Sequence, residues 1–249
     1  MNFNLENDIP NDPLITKINI FNYLGLDLGK TQDYSVLTHL KAFQIHKYEK
    51  DYDEKIIYRS DMGQDPIDFY EPIRYRLQNC HRWELGTSYN TVVDDIINLL
   101  KLPYFKQNST PLIIDATGVG SAVFDIFKSK NLFPIAITIT SGNSMGENDI
   151  GYTVPKQDLL DNMSIIVNQE RLKINNKIQD KKIIIGELQS FEKTINKRGN
   201  ISLEAENKSK DDIVLSISYA LWYAHRQLKQ SQTSIKVDDS FNFGYYGIL

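Results

Sequence analysis

Apolar and polar positions divide the chain into segments of two periods. From Ile18 to Leu28 and from Tyr34 to about Tyr48 the period is two, which predicts a hairpin around Gly29–Gln32. In the first strand Leu24, Leu26 and Leu28 face one side, while Tyr23, Gly25 and Asp27 face the other. A further strand is expected around Lys55–Arg59 or Arg74–Leu85, and the acidic, proline-bearing stretch between them, "SDMGQDPIDFYEPI", reads as a loop or insertion. From Ser88 the period becomes helical through Val92, Val93, Ile96, Ile97 and Leu100, and Pro103 ends it. Leu112–Ile114 is a continuous apolar run, the pattern of a strand buried on both faces; Asp115 terminates it. A turn at Gly118 and Gly120 leads into a helix through Val123, Ile126 and Phe127, followed by a strand over Pro134–Thr140.

Ser141–Thr153 reads as a glycine-rich loop, and Asp158–Arg171 as an amphipathic helix burying Leu159, Leu160, Met163, Ile166 and Val167. A helix over Asp180–Ile195, a strand "NISLEA" and a long last helix from near Lys210, with Ile213, Ile217, Leu221 and Ala224 inward, complete the pattern. A meander followed by strand–helix–strand units predicts an α/β fold, a mixed β-sheet flanked by helices. The expected organisation is an arm over residues 1–17, one domain over 18–228 and a flexible tail over 229–249 that ends in "SFNFGYYGIL".

A chain of 249 residues can bury one substantial core, and 41% hydrophobic with 24% charged residues is ordinary for a globular protein. No run of 18 apolar residues spans a membrane, and the amino terminus lacks the pattern of a secretion signal. A single cysteine, Cys80, excludes an internal disulfide framework and a cysteine-based zinc cage, so a reducing, cytoplasmic location is expected. The net charge of −4 argues against a surface that grips nucleic acid everywhere, but leaves room for a local groove.

The candidate chemistry starts at "YLGLDLGKTQDYSVLTHL". Gly29-Lys30-Thr31 ends like a phosphate-binding P-loop, but the position that should be glycine is Leu24, and a strand follows where a helix is required. What remains is Asp27, a carboxylate late on a leucine-rich strand, which is either part of a turn or a functional acid. Asp115 ends a second core strand, and Asp211 and Asp212 open the last helix. Taken singly, Asp115 would serve as a cap before Gly118, and the Asp pair would complement the helix dipole. Taken together, such oxygen ligands select hard divalent ions such as Mg²⁺ or Mn²⁺. Two such ions about 4 Å apart hydrolyse phosphodiesters.

The order of "GLDLGKTQDYSVL", "LGTSYNTVVDDIINLL", "PLIIDATGVGSAVFDIF", "YTVPKQDLLDNMSIIVNQERLKI", "GELQSF" and "KDDIVLSISYALWYA" resembles the nuclease domain of the large terminase subunit of tailed bacteriophages, from about Tyr23 to Ala224. The resemblance implies a ribonuclease H-like fold and metal-dependent endonucleolytic cutting of concatemeric viral DNA during packaging in the host cytoplasm. It puts Asp27, Asp115 and Asp212 in a catalytic, metal-binding triad for two Mg²⁺ or Mn²⁺ ions, with Asp211 as an extra ligand; many relatives carry Glu where Asp115 stands. Lys156 is a candidate contact to a DNA phosphate, or else a solvated lysine. The implied partners are double-stranded DNA and a separate packaging ATPase, small terminase subunit or portal, since the chain lacks the packaging ATPase and a true P-loop. Two alternatives stand beside this reading. Asp27-Leu-Gly-Lys-Thr31 also resembles the first phosphate motif of the actin and sugar-kinase phosphotransferases, and the fold would also suit a non-catalytic DNA- or capsid-binding module.

Overall fold

The structure, a computed structural model, describes residues 14–29, 33–48, 68–142, 144–198 and 211–240. Strands β1 (Ile15–Asp27) and β2 (Val36–Tyr48) form the expected hairpin, and β4 (Arg74–Arg82) adds antiparallel to β2. On the other side of β1 lie β5 (Leu112–Asp115) and then β6 (Ile135–Thr140), both parallel to it. β8 (Gly151–Pro155) extends the parallel run, with β7 (Gly146–Asn148) antiparallel on its edge. At the opposite edge β9 (Leu172–Ile174) pairs parallel to β4, and β3 (Asp68–Tyr70) pairs with the end of β2. The sheet therefore runs β7-β8-β6-β5-β1-β2-β4-β9, an antiparallel meander continued by parallel strands: a mixed α/β layout.

Among the described residues six helices cover it: α1 (Tyr89–Leu100), α2 (Pro103–Gln107), α3 (Val119–Ser129), α4 (Lys156–Asn168), α5 (Lys181–Arg198) and α6 (Asp212–Ser240). The alternation in β1 separates two cores. Leu24 and Leu26 pack with Val92, Val93 and Ile96 of α1 and Phe127 of α3, while Tyr23 packs with Ile213, Ile217 and Leu221 of α6. α1 begins at the expected cap, where the Ser88 hydroxyl accepts the Thr91 N–H at 3.2 Å. The inward stripe of α4 is the expected one: Leu159, Leu160, Met163 and Ile166 are buried, with Val167 half-buried at its margin.

Several expectations are corrected. Ser141–Thr153 is no simple loop: Gly146–Asn148 and Gly151–Pro155 form a hairpin, because Gly151 can pack its backbone against Ala136, where any Cβ would lie 1.9 Å from the Ala136 oxygen. The stretch before Ile73 contains β3, and β1 starts at Ile15, inside the expected arm. Pro103 ends α1 but also opens α2, as its fixed φ allows at a first helical position. α4 starts at Lys156 and ends at Asn168, which frees Leu172–Ile174 to pair with β4. α6 continues to Ser240, so residues 229–240 of the expected tail are helical. The strand options at Lys55–Arg59 and "NISLEA", residues 1–13 of the arm and the tip of the tail lie outside the described residues. Among the described residues no helix is long and apolar enough to cross a membrane.

Candidate active site

Register places the first two acids side by side. β1 and β5 are parallel neighbours with Gly25 opposite Ile113 and Leu26 opposite Ile114, so the next pair in step is Asp27 and Asp115, each the last residue of its strand. Parallel strands lie about 4.8 Å apart, and paired residues share a face. That face is the one covered by α6, since Ile113 belongs to the core that α6 completes.

α6 supplies the remaining acids because its axis lies close on β1. A Cβ on Gly25 would stand 2.0 Å from the Ser216 carbonyl oxygen, so only glycine admits the helix at this distance. Asp212, Ser216 and Tyr219 recur at i, i+4 and i+7 and form one polar stripe toward β1. Asp212 Oδ2 accepts the Tyr34 N–H at 3.3 Å. Ser216 Oγ donates to the Gly25 carbonyl at 2.7 Å, which makes it the acceptor from Thr38 Oγ1 at 2.8 Å. The Tyr219 hydroxyl, fully buried, donates to Asp27 Oδ1 at 3.3 Å. Asp211 precedes the helix, and its carbonyl accepts from Leu215 N–H at 2.9 Å.

α3 fixes Asp115 from the other side. A Cβ on Gly120 would meet the Asp115 carbonyl oxygen at 1.8 Å, and Gly118, with φ of 61°, turns the chain into the helix. Asp115 Oδ1 accepts the Thr117 N–H at 2.7 Å, which closes a turn ahead of α3, whose own cap, Gly118, has no side-chain bond. A turn role and site membership coincide here.

Asp27 feels the charges of the other three acids. Burial pushes the Asp27 carboxyl well above the usual carboxylate range, and the charges of Asp212, Asp115 and Asp211 push it further, against a small opposing effect of the Tyr219 hydrogen bond. Burial also raises Asp115, opposed by its hydrogen bonds to Thr117 and by Lys156. Asp211 is raised by burial, and Lys156 again opposes. Lys156, half-buried at the start of α4, is near enough for its charge to act on Asp115 and Asp211. Keeping a poorly compensated carboxylate inside costs several kcal/mol. That is comparable to what burying two leucines contributes, about 1.5–3 kcal/mol each. The fold does not keep Asp27 for stability.

The donor set is chemically suited to a hard divalent ion: all oxygen, strongly anionic and tied to rigid elements. Among the described residues, however, no three His, Cys, Asp or Glu side chains already form a closed ligand set.

Sequence reading did not single out Glu187. Its Oε2 on α5 accepts the Ile213 N–H at 3.1 Å, so it caps α6 from outside and fixes the turn that carries Asp211 and Asp212. Burial raises its pKa from the ordinary 4.5 to about 7, with Asp212 adding and the Ile213 hydrogen bond and Arg82 opposing. Arg82 ends β4 with its guanidinium 4.3 Å from the ring centre of Tyr34, the residue whose N–H serves Asp212. Glu187→Ala should lower stability by about 1 kcal/mol, the value of a lost helix cap, while Glu187→Gln keeps an acceptor oxygen and most of that stability. Equal melting temperatures for the Ala and Gln proteins would show that Glu187 is no cap.

No family model matches the chain, and no curated protein matches it. Among solved structures it is similar to the large terminase nuclease from thermophilic phage G20c, crystallised with bound magnesium, with 19% identity and a TM-score of 0.47 over 82% of this chain and 81% of that one. At this identity the likeness assigns no residue and no activity to this chain.

Proposed function

We propose that this chain is a metal-dependent DNA endonuclease of the phage terminase type, cutting concatemeric viral DNA during genome packaging. The observation that carries the reading is the convergence of Asp27, Asp115, Asp211 and Asp212, from two adjacent strand ends and one helix start, close enough for their charges to act on Asp27. In open α/β sheets, ligands gather at the carboxyl ends of the strands, which is where these acids stand.

Asp27, Asp115 and Asp212, with Asp211 as a further ligand, would hold Mg²⁺ or Mn²⁺. When bound, a pair of such ions supplies a nucleophilic water at neutral pH and charge stabilisation for the leaving oxygen. The chain's own contribution is position. Tyr219 orients the Asp27 carboxylate, the Ser216–Gly25 contact fixes α6 on β1, and Thr117 holds Asp115. Lys156, whose charge reaches Asp115 and Asp211, would meet a DNA phosphate. A separate ATPase chain, small terminase subunit or portal would supply the rest of a packaging machine.

Hydrolysis by positioning and charge needs neither ATP nor base readout. Sequenced ends of digested duplex should therefore scatter, and the rate should be the same with and without ATP. A strict ATP requirement, or one fixed recognition sequence, would contradict the reading.

A further inference from the structure

Away from the acids, the strongest charge feature is the outer edge of the sheet. Tyr75 and Leu77 of β4 point into the core under α6, so period two turns Arg74 and Arg76 to the opposite face. β9 pairs Lys173 with Arg76, which puts both on that face. Arg171 precedes β9, and Lys177 and Lys181 follow it. Two pockets of about 540 and 550 Å³ open along this edge and meet at Arg76 and Lys173. Among the described residues the nearby acids include Glu170, in the first pocket, Glu71, which is bonded to Arg74 at 2.9 Å and Lys47 at 2.6 Å, and Asp180, next to Lys181 and close enough to act on Cys80 of β4. Positive charge is thus concentrated here on a chain of net charge −4.

Two of the cations are held in place. The Arg76 guanidinium lies 5.7 Å from the Phe43 ring centre and that of Arg171 lies 5.7 Å from Tyr75, while Arg171 Nε donates to the Ile73 carbonyl at 2.7 Å. Guanidinium groups fixed in this way lose little further freedom on meeting a phosphate. Direction matters as well. β1, β4, β5 and β9 all run the same way, so the stripe from Arg74 through Arg76 and Lys173 to Lys177 and Lys181 runs toward the strand ends that carry the acids, with Arg74, Arg76 and Lys173 on the face opposite them. A duplex presents one negative charge per about 1.7 Å of axis, so Arg74, Arg76 and Lys173 together face several phosphates.

We infer that the β4–β9 edge is a binding surface for the backbone of duplex DNA, on the sheet face opposite the carboxylate site and open toward the same strand ends. The choice of DNA over other polyanions rests on the nuclease reading; the surface itself does not.

The test is fluorescence anisotropy of a mixed-sequence duplex titrated with the full chain in EDTA at graded salt. Affinity should fall with salt with a slope of about −0.9 per phosphate contact. The double variant Lys173→Glu/Lys177→Glu, both at exposed positions, should bind at least about tenfold more weakly, with the slope shallower by about two. The neutral pair Lys173→Gln/Lys177→Gln should give a smaller loss in the same direction, and Lys128→Glu, exposed on α3, should change little. Affinity and slope in both double variants equal to wild type would overturn the proposal. So would poly-glutamate competing as well as DNA at equal charge, which would reassign the edge to an acidic polypeptide. The two readings fail separately. A wild-type chain that never cuts but loses binding with the double variant leaves the surface standing without the nuclease, and a chain that cuts while the double variants bind normally removes the surface alone.

Discussion

Asp27→Asn should abolish metal-dependent cutting of DNA, a loss of about 10³-fold or more, while the protein stays folded. The magnitude follows from removing an anionic oxygen at the centre of the acid cluster, where several kcal/mol of transition-state stabilisation are at stake and each 1.36 kcal/mol is tenfold in rate. Asp27 is buried and its carboxyl is raised by burial and by three neighbouring acids, so without metal its charge opposes folding. The Asn protein in EDTA should therefore melt at the same temperature as wild type or higher. The pH dependence has a definite sign. Acids whose folded pKa is raised bind more protons in the native state, so their favourable contribution is complete below the unfolded value and is lost as pH rises toward the folded one. For Glu187 that window runs from 4.5 to about 7, and Asp27, Asp115 and Asp211 act in the same direction. As pH falls from 7 toward 4.5 these acids favour folding, while His39, His81 and His225, whose imidazoles burial holds below the ordinary value, oppose it, so the readout is the difference between proteins: Asp27→Asn should lose part of the acid contribution that wild type shows. Undiminished cutting by the Asn protein would remove Asp27 from the site; a large drop in its metal-free melting temperature would make it structural.

Mn²⁺ alone should stabilise the wild-type chain. A ligand held only by the native state adds RT ln(1 + [L]/Kd), about 2.7 kcal/mol at one hundred times Kd. For a chain of this length each kcal/mol raises the melting temperature by about 2–4 °C, so a shift of roughly 5–10 °C is expected. It should shrink in Asp27→Asn, Asp115→Asn and Asp212→Asn, each of which loses one oxygen ligand and one charge. The comparison of Asp211→Asn with Asp212→Asn then ranks the two acids at the helix start. Mg²⁺ with ATP should add nothing beyond the metal. An ATP-specific rise of several degrees would favour the phosphotransferase alternative instead.

The placement of Asp27 and Asp115 was legible because period two and a continuous apolar run locate strand ends without tertiary information. Asp212 was legible because the apolar stripe of α6 starts one residue later, at Ile213. The partners of these acids were not. Tyr219 sits in a stretch whose aromatic residues all read as core, and only the close approach of α6 to Gly25 turns its hydroxyl toward Asp27. Glu187 acts across two helices, a contact with no signature in spacing along one of them. The edge strands β3, β7 and β9 have three residues each, too few for a period to show. Just beyond Leu228, residues 229–231 of the last helix are exposed, so the sequence turns polar there and reads as a tail.

The central claim is that the acids at the ends of β1 and β5 and the start of α6 make a divalent-metal site that hydrolyses DNA. Its most direct measurement is the fate of supercoiled plasmid incubated with the purified chain. With Mn²⁺ or Mg²⁺ the plasmid should be nicked and then linearised, with EDTA it should stay supercoiled, and restored metal should restore cutting. Equal cutting in EDTA, or an inert chain in both metals that nonetheless binds DNA, would contradict it.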